Sequence, residues 1–145
     1  MTESTLFEKI LSGKIPANFI AKGETWGAFL DVFPRREGHT LVVPRNPVKH
    51  LSQLPQLEIN ELMQGVQQTQ KILSKYFRTK DFTILIHDGP IAGQEIPHMH
   101  IHIIPRTEGD GGKTITSLFP ETVTPQTPDF ESLSLLHNKI MEASS

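Results

Sequence analysis

Apolar residues recur at helical spacing in three segments of the chain. The first segment covers residues 6–11 and stops before Pro16, which predicts a short opening helix. In the second, a helix opens at Pro55 and continues to about Phe77 with one apolar stripe. The third segment predicts a short helix over about 130–141.

Other stretches are alternating or β-branched and are bounded by turn residues, which is typical of strands. Five of them are predicted, over residues 19–21, 25–30, 40–43, 82–87 and 99–104. Most of these strands follow one another through turns, and the long helix interrupts them once. This order predicts an α+β domain, in which an antiparallel sheet of about five strands carries one long helix and short terminal helices.

Composition excludes several classes of protein. The formal charge of −2 and the pI near 6.4 disfavour nucleic acid and anionic membranes as partners, so any bound anion needs a local site. The chain has no cysteine, which excludes disulfides and thiolate metal sites. No segment approaches the ~20 apolar residues of a membrane span, and no apolar run of signal-peptide type follows the first residues. We therefore expect a cytoplasmic protein.

The most informative stretch carries His98, His100 and His102, three of the seven histidines within five residues. Side chains of a strand alternate between its two faces, with neighbours on one face about 6.6–7 Å apart. We therefore expect the three imidazoles to form a row on one face. The residues that alternate with them are apolar and are predicted to enter the core: Met99, Ile101 and Ile103.

Three interpretations of this row compete. In the first, the row is only the solvent-exposed face of a strand, but Thr, Lys or Glu would be more usual there than His. Two histidines two positions apart on a strand can reach one zinc ion, but that site needs further ligands and no acidic residue lies within the row. In the third, a neutral imidazole attacks phosphorus while its neighbours donate N–H groups to phosphate oxygens. We rank phosphate chemistry modestly above metal binding on these residues alone.

The loop that precedes the histidines favours phosphate chemistry. Gly89 and Gly93 allow backbone N–H groups to approach an anion closely. Gln94 offers a neutral amide that can donate to a phosphoryl or bridging oxygen. Nothing in this loop requires a divalent ion.

The segment from His98 to Ile104 resembles the motif of the histidine-triad family, in which histidines and apolar residues alternate. The resemblance covers about residues 5–106. An irregular tail over 107–128 and the helix over about 130–141 are expected to follow. We expect the whole chain, 1–145, to form a single domain. Four segments are similar to the Hint branch of the family: residues 6–10, 15–17, 28–31 and 38–44. Three others, residues 88–90, 92–94 and 104–106, are instead similar to the fragile-histidine-triad branch, so the chain lies between the two.

The resemblance implies roles for the histidines. His100 would be the nucleophile and would carry the nucleotidyl group, with its other ring nitrogen held by a backbone carbonyl. His98 would be a structural partner of that arrangement, and His39 would support it. His102 would bind phosphate oxygens as well as belong to the catalytic set.

The resemblance also implies a substrate-binding set. Asp31 would accept both ribose hydroxyls, which suits its two carboxylate oxygens. Gln94 and the backbone amides around Gly93 and Glu95 would bind the phosphate. The remaining positions would line the base pocket: Phe7, Ile10, Phe29 and Leu41.

The chain departs from the family pattern at several positions. Zinc-binding members carry a cysteine pair where Thr5 and Glu8 stand here, so we expect no metal at His50 or elsewhere. His87 occupies a place where relatives usually have Asn or Gln facing the phosphate, and it adds a titratable group there. The third histidine is His102 and not the Gln of related transferases, which favours hydrolysis over transfer.

The sequence therefore predicts a hydrolase that cleaves adenine nucleotide conjugates at the α-phosphate and releases AMP, without a cofactor. The leaving group would be the amine of a phosphoramidate or the nucleotide of a diadenosine polyphosphate. The resemblance implies a homodimer, which we expect to form through the long helix and an edge strand. A nucleotide-binding sensor without turnover and a zinc-dependent hydrolase are the alternatives.

Overall fold

The computed structural model describes residues 3–122 and 127–145. Contacts between residues divide the chain into two compact units, of which the first ends at Asp110 and the second runs from Gly111 to Ser145. The first unit contains the sheet, the long helix and every predicted site residue.

A five-stranded sheet forms the first unit, and every neighbouring pair of its strands is antiparallel. The strands are β1 (Phe19–Lys22), β2 (Trp26–Leu30), β3 (Thr40–Pro44), β4 (Phe82–Leu85) and β5 (Ile101–Pro105). Their order across the sheet is β1-β2-β3-β5-β4, so β1 and β4 are the edges. The predicted α+β class and the antiparallel sheet are confirmed.

Helix α1 (Leu6–Leu11) begins with a capping box. The Thr5 hydroxyl accepts a hydrogen bond from the Glu8 backbone N–H at 3.0 Å, and the Glu8 carboxylate accepts one from the Thr5 N–H at 2.9 Å. These bonds satisfy two N–H groups that the first helical turn leaves without partners. The apolar face of this short helix is buried, as its spacing predicts.

Helix α2 (Gln56–Phe77) starts immediately after Pro55 and ends at Arg78, which takes a left-handed conformation (φ 55°). Its apolar stripe packs on the sheet together with Trp26 and the alternate residues Ala28 and Val42. The residues between these alternate ones join α1 in a second apolar cluster: Phe29, Leu41 and Val43. Because strand residues alternate, the two clusters lie on opposite faces of the sheet, with α2 on one face and α1 on the other.

Two strands each lack two residues at one predicted end. β4 ends at Leu85 and not at residue 87, and β5 begins at Ile101 and not at residue 99. Before β5, the N–H of Met99 donates to Val48 O at 2.7 Å and the N–H of His98 donates to Ile96 O. These bonds hold residues 98 and 99 outside the strand ladder. Short 3₁₀ helices at 51–53, 90–92 and 115–118 have no apolar period and were not predicted.

The second unit contains helix α3 (Phe130–Ala143), close to the predicted 130–141, with Asp129 as its N-cap. Most of its apolar side chains are exposed: Phe130, Leu133, Leu135, Leu136, Ile140 and Met141. Residues 123–126 of the stretch predicted to be irregular lie outside the described residues. Within 3–122 and 127–145, no helix is both long and apolar enough to cross a membrane.

Gly65 of α2 provides a test of how closely this helix packs on the sheet. A Cβ atom at position 65 would lie 2.7 Å from the indole of Trp26, whose side chain is buried. Alanine is better than glycine inside a helix by about 1 kcal/mol, but overpacking a core costs about 1–3 kcal/mol. We expect Gly65→Ala to lower the free energy of unfolding by about 1 kcal/mol, measured by urea titration of Trp26 fluorescence. The exposed Gln68→Ala is the control, and a stabilised Gly65→Ala would contradict this packing.

Candidate active site

A cavity of about 450 Å³ opens on the sheet face that carries α1. Most of the predicted site residues line it: Phe7, Ile10, Phe29, Asp31, His39, Leu41, His87, Gly93, Glu95, His100 and His102. Gln94 and His98 do not line it. Residues from α1, three strands and the loop before β5 thus meet at one place.

His100 is held by one short hydrogen bond. Its Nδ1 lies 2.7 Å from the carbonyl oxygen of His98. A carbonyl oxygen can only accept, so Nδ1 donates and carries the ring proton. The other nitrogen, Nε2, is then unprotonated and retains its lone pair. Burial lowers the pKa of His100 below its ordinary value, so the ring is neutral at pH 7.

His98 lies on the same side of the sheet as His100, since the Phe7 ring contacts both, but it does not line the cavity. The side chain is completely buried, and its residue precedes β5. Its Nε2 donates to Pro44 O at 2.7 Å, and its Nδ1 lies 2.6 Å from the Thr5 hydroxyl. Burial lowers the pKa of His98 and outweighs the raising effects of the Pro44 bond and the Glu8 charge. The ring is therefore a neutral structural group.

His39 and His102 are joined by a hydrogen bond whose direction follows from the backbone. The N–H of Arg35 donates to His39 Nδ1 at 3.1 Å, so the proton of neutral His39 is on Nε2. That Nε2 lies 2.9 Å from His102 Nδ1 and donates to it. The proton of His102 is consequently on its Nε2, which leaves this N–H free to donate to a ligand.

His39, His100 and His102 are uncharged at neutral pH, because burial lowers the pKa of each ring. Ring centroids of His100, His39 and His87 lie 4.9, 5.1 and 5.6 Å from that of His102. Burial, followed by repulsion from these three neighbours, lowers the pKa of His102 to about 4. Burial also lowers the pKa of His39, although Asp31 opposes that change. These neutral histidines can therefore interact with an anion through N–H dipoles and not through formal positive charges.

Asp31 follows β2 directly and is oriented by the loop after it. Its Oδ1 accepts from the N–H of Phe33 at 2.9 Å, and its Oδ2 lies 3.6 Å from His39 Nε2. The carboxylate side chain is 18% exposed, so it reaches the cavity while its position is constrained. Both oxygens keep lone pairs for a ligand with two hydroxyl groups.

The apolar wall of the cavity lies directly beside His100. The Phe7 ring contacts His100 edge-on at 4.9 Å between centroids and Phe29 at 5.7 Å. Several further lining residues were not predicted, because tertiary contacts and not the local pattern decide which side chains border a cavity. All of them except Arg35 are apolar. They are Leu6, Ile15, Pro16, Ala17, Leu30, Val32, Phe33, Arg35, Leu85, Ile96 and Ile104.

The loop before β5 supplies fewer phosphate donors than predicted. Gly89 and Gly93 have φ values of 105° and 103°, which favour glycine, but the Gly93 N–H already donates to Pro90 O. Gln94 turns away from the cavity: its Nε2 donates to Lys49 O at 2.8 Å, and its Oε1 is buried without a partner among the described residues. The structure thus does not place the Gln94 amide where a phosphate would bind. No partner is recorded for the Glu95 N–H within 3–122 and 127–145.

One group of possible metal ligands exists among the described residues, formed by Asp31, His39 and His102. Their ligand atoms lie within 4.8 Å of one another, so the structure supplies the carboxylate that the histidine segment lacks. Two of these atoms, His39 Nε2 and His102 Nδ1, already bond to each other. A metal ion would have to replace that hydrogen bond.

Residues 12–109 match the HIT domain model. The chain belongs to the HIT family. An uncharacterised HIT-like protein of Methanocaldococcus jannaschii is 42% identical over 106 residues, which cover 73% of this chain and 81% of that protein. The adenosine 5′-monophosphoramidase of Saccharomyces cerevisiae is 29% identical over 94% of this chain and 80% of its own length.

The second branch of the family is also represented among the relatives. The asymmetrical bis(5′-nucleosyl)-tetraphosphatase of Schizosaccharomyces pombe is 40% identical over 57% of this chain and 46% of that enzyme. Among solved structures, a histidine triad nucleotide-binding protein of Candida albicans matches with a TM-score of 0.80 and 27% identity. That match covers 97% of this chain and 96% of the other. The predicted position between two branches is confirmed.

The lowered pKa values of these histidines make the free energy of unfolding depend on pH. Above pH 6.5 these histidines are neutral in both the folded and unfolded states, and their contribution to stability is complete. As the pH falls below 6.5, the unfolded chain binds protons that the folded site excludes, so the free energy of unfolding decreases towards the folded pKa values. For His102 this window is from 6.5 to about 4.

We therefore expect His102→Gln to make the loss of stability between pH 6.5 and 4.5 shallower, by at most about 1.4 kcal/mol per pH unit. Urea titrations at several pH values measure the slope. His137→Gln on the exposed face of α3 is the matched control and leaves the slope unchanged. Equal slopes for the His102 variant and the unaltered protein would show that His102 titrates normally.

Proposed function

We propose that this protein hydrolyses nucleotide conjugates at the α-phosphate and that His100 is the nucleophile. The observation that supports this most directly is the bond from His100 Nδ1 to a backbone carbonyl. It leaves Nε2 unprotonated on a ring whose pKa is lowered and which lines the cavity. A positioned neutral imidazole of this kind is competent for attack on phosphorus.

The proposed reaction has two steps. The Nε2 lone pair forms an N–P bond as the bond from phosphorus to the leaving group breaks, and the leaving group departs with the electron pair and takes up a proton from solvent. The positive charge that develops on the His100 ring is stabilised by the carbonyl of His98. Water then attacks phosphorus and gives up a proton to solvent, the N–P bond breaks, its electron pair returns to Nε2, and the nucleoside monophosphate is released.

Other residues of the cavity have matching proposed roles. The Nε2–H of His102 and the Glu95 N–H donate to phosphate oxygens, and His39 maintains the His102 tautomer. Asp31 accepts the ribose hydroxyls, and the wall formed by Phe7, Ile10, Phe29 and Leu41 holds the base. His87 lines the cavity next to His102, with 5.6 Å between the ring centroids. It is proposed to contact the phosphate or the leaving group.

The substrate is proposed to be an adenine nucleotide conjugate, and AMP is the product. One relative is an adenosine 5′-monophosphoramidase and another is a bis(5′-nucleosyl)-tetraphosphatase, so both kinds of leaving group are candidates. Parallel assays of adenosine phosphoramidate, diadenosine triphosphate and diadenosine tetraphosphate decide between them. A chain that binds AMP and turns over none of the three would support the sensor function instead.

We also propose a homodimer in the cytoplasm that needs no cofactor. The long helix exposes apolar side chains on its outer surface, among them Met63, Ile72 and Tyr76. β4 is an edge strand with Ile84 exposed. Edge strands and exposed apolar surfaces are common association sites, which supports the helix and this edge as the interface.

A covalent intermediate distinguishes the proposed mechanism from its zinc-dependent rival. With substrate labelled at the α-phosphate, we expect acid-labile, base-stable label on the unaltered protein and none on His100→Ala. Turnover should decrease by on the order of 10⁴-fold in this variant, as losses of nucleophiles generally do. Substrate should still bind, since the base pocket and Asp31 remain.

Chelation is the complementary control for this experiment. A zinc ion at Asp31, His39 and His102 would make activity depend on metal, whereas a nucleophilic His100 needs none. The proposal is overturned if a chelator abolishes activity, zinc restores it and no label is found.

Asp31 provides a separate test of the sugar site. If the carboxylate accepts the 2′- and 3′-hydroxyls, a dideoxy substrate leaves its lone pairs without partners and loses about 1–3 kcal/mol of binding. The expected result is a higher KM for the dideoxy substrate with the unaltered protein and little difference between the two sugars with Asp31→Ala. Equal KM values for both sugars with the unaltered protein would remove Asp31 from the sugar site.

A further inference from the structure

Thr5 contacts the triad although it lies outside the histidine segment and the cavity wall. Its hydroxyl oxygen accepts from the Glu8 N–H at 3.0 Å and is 2.6 Å from His98 Nδ1. Since His98 Nε2 already donates to Pro44 O, Nδ1 is the acceptor and the Thr5 O–H donates to it. One hydroxyl group therefore joins the first turn of α1 to the first histidine of the motif.

The two groups joined by Thr5 are both important for the cavity. Helix α1 carries Phe7 and Ile10 on the apolar wall, and the Phe7 ring contacts His98 and His100 edge-on. On the other side, the carbonyl of His98 receives the Nδ1–H of His100. A movement of His98 would therefore move the group that orients the Nε2 lone pair of His100.

We propose that Thr5 is a positioning residue, whose hydroxyl holds His98 and, through the His98 carbonyl, aligns His100 for attack. The inference rests on the proposed function, since it assumes that His100 is the nucleophile. A simple N-cap needs only an acceptor, and Asp or Asn serves as well as Thr in that role. The short donor bond to a completely buried imidazole requires a hydroxyl and is not explained by capping.

Thr5→Val removes the hydroxyl while keeping the shape of the side chain. We expect kcat to decrease by roughly 10- to 100-fold, as small misplacements of reacting groups can cause, with KM changed by less than about threefold. Thr5→Ser keeps both hydrogen bonds and should restore kcat to within about threefold of the unaltered protein. This rescue separates the hydroxyl from the methyl group.

Glu8→Ala is the matched control for helix capping. It removes the reciprocal bond of the same capping box but leaves the Thr5 bond to His98 in place. The Glu8 charge raises the pKa of His98, so its loss lowers that pKa further and the ring stays neutral. We expect Glu8→Ala to lower Tm by several degrees, as Thr5→Val does, while kcat stays within about threefold.

The ligand-free protein gives a readout that does not require activity. Imidazole ¹⁵N chemical shifts report the hydrogen bonds of each ring nitrogen. In Thr5→Val we expect the Nδ1 signal of His98 and the Nδ1–H signal of His100 to shift, whereas Glu8→Ala leaves both unchanged. If Thr5→Val does not fold, Thr5→Gly replaces it, because glycine is a good N-cap without a hydroxyl.

Two results would overturn the proposal. One is a decrease of kcat that follows Tm equally in the Thr5 and Glu8 variants, which is the behaviour of a purely structural cap. The other is an unchanged pair of histidine ¹⁵N signals in Thr5→Val. If the unaltered protein hydrolyses no nucleotide conjugate, the proposed function fails, and the ¹⁵N signals still decide whether Thr5 orients His98 and His100.

Discussion

The chemistry of the cavity depends on the hydrogen bond between His100 Nδ1 and the carbonyl oxygen of His98. An imidazole carries one proton in its neutral form, and the partner of one nitrogen decides the state of the other. The hydrogen bonds of His98 help to keep the proton of the neutral His100 ring on Nδ1. Pro44 O and the Thr5 hydroxyl hold His98, so the carbonyl that receives the His100 proton comes from a residue with no freedom to rotate.

A second chain of bonds selects the tautomer of His102. It starts at the backbone N–H of Arg35, which has no alternative protonation state, and passes through His39. The two series of hydrogen bonds place different groups at the cavity: an acceptor lone pair on His100 and a donor N–H on His102. The proposed nucleophile and the proposed phosphate donor are thus distinguished by their hydrogen-bond partners, although the side chains are identical.

Much of this arrangement could be predicted from the sequence. The alternation from His98 to Ile104 placed Ile101 and Ile103 in the core, and residues as far apart as Phe7 and His102 do line one cavity. The prediction was wrong where a distant contact decides the result. Residues 98 and 99 leave the strand because the Met99 N–H bonds to Val48 O, and Gln94 turns towards Lys49. Thr5 and His98 are 93 positions apart, and no local pattern indicates their bond.

The absence of formal positive charge on His39, His100 and His102 affects the release of product in the proposed reaction. A conjugate linked through its α-phosphate carries one negative charge at that group, whereas a phosphate monoester carries about −1.5 to −2 at pH 7. The neutral imidazoles add no formal positive charge to offset the additional charge, and the Asp31 carboxylate opposes it. Among the described residues that line the cavity, Arg35 is the one cation that can offset it. The neutrality that keeps a lone pair on His100 therefore makes the imidazoles hold a monophosphate less strongly than charged imidazoles would, which favours product release in the proposed reaction.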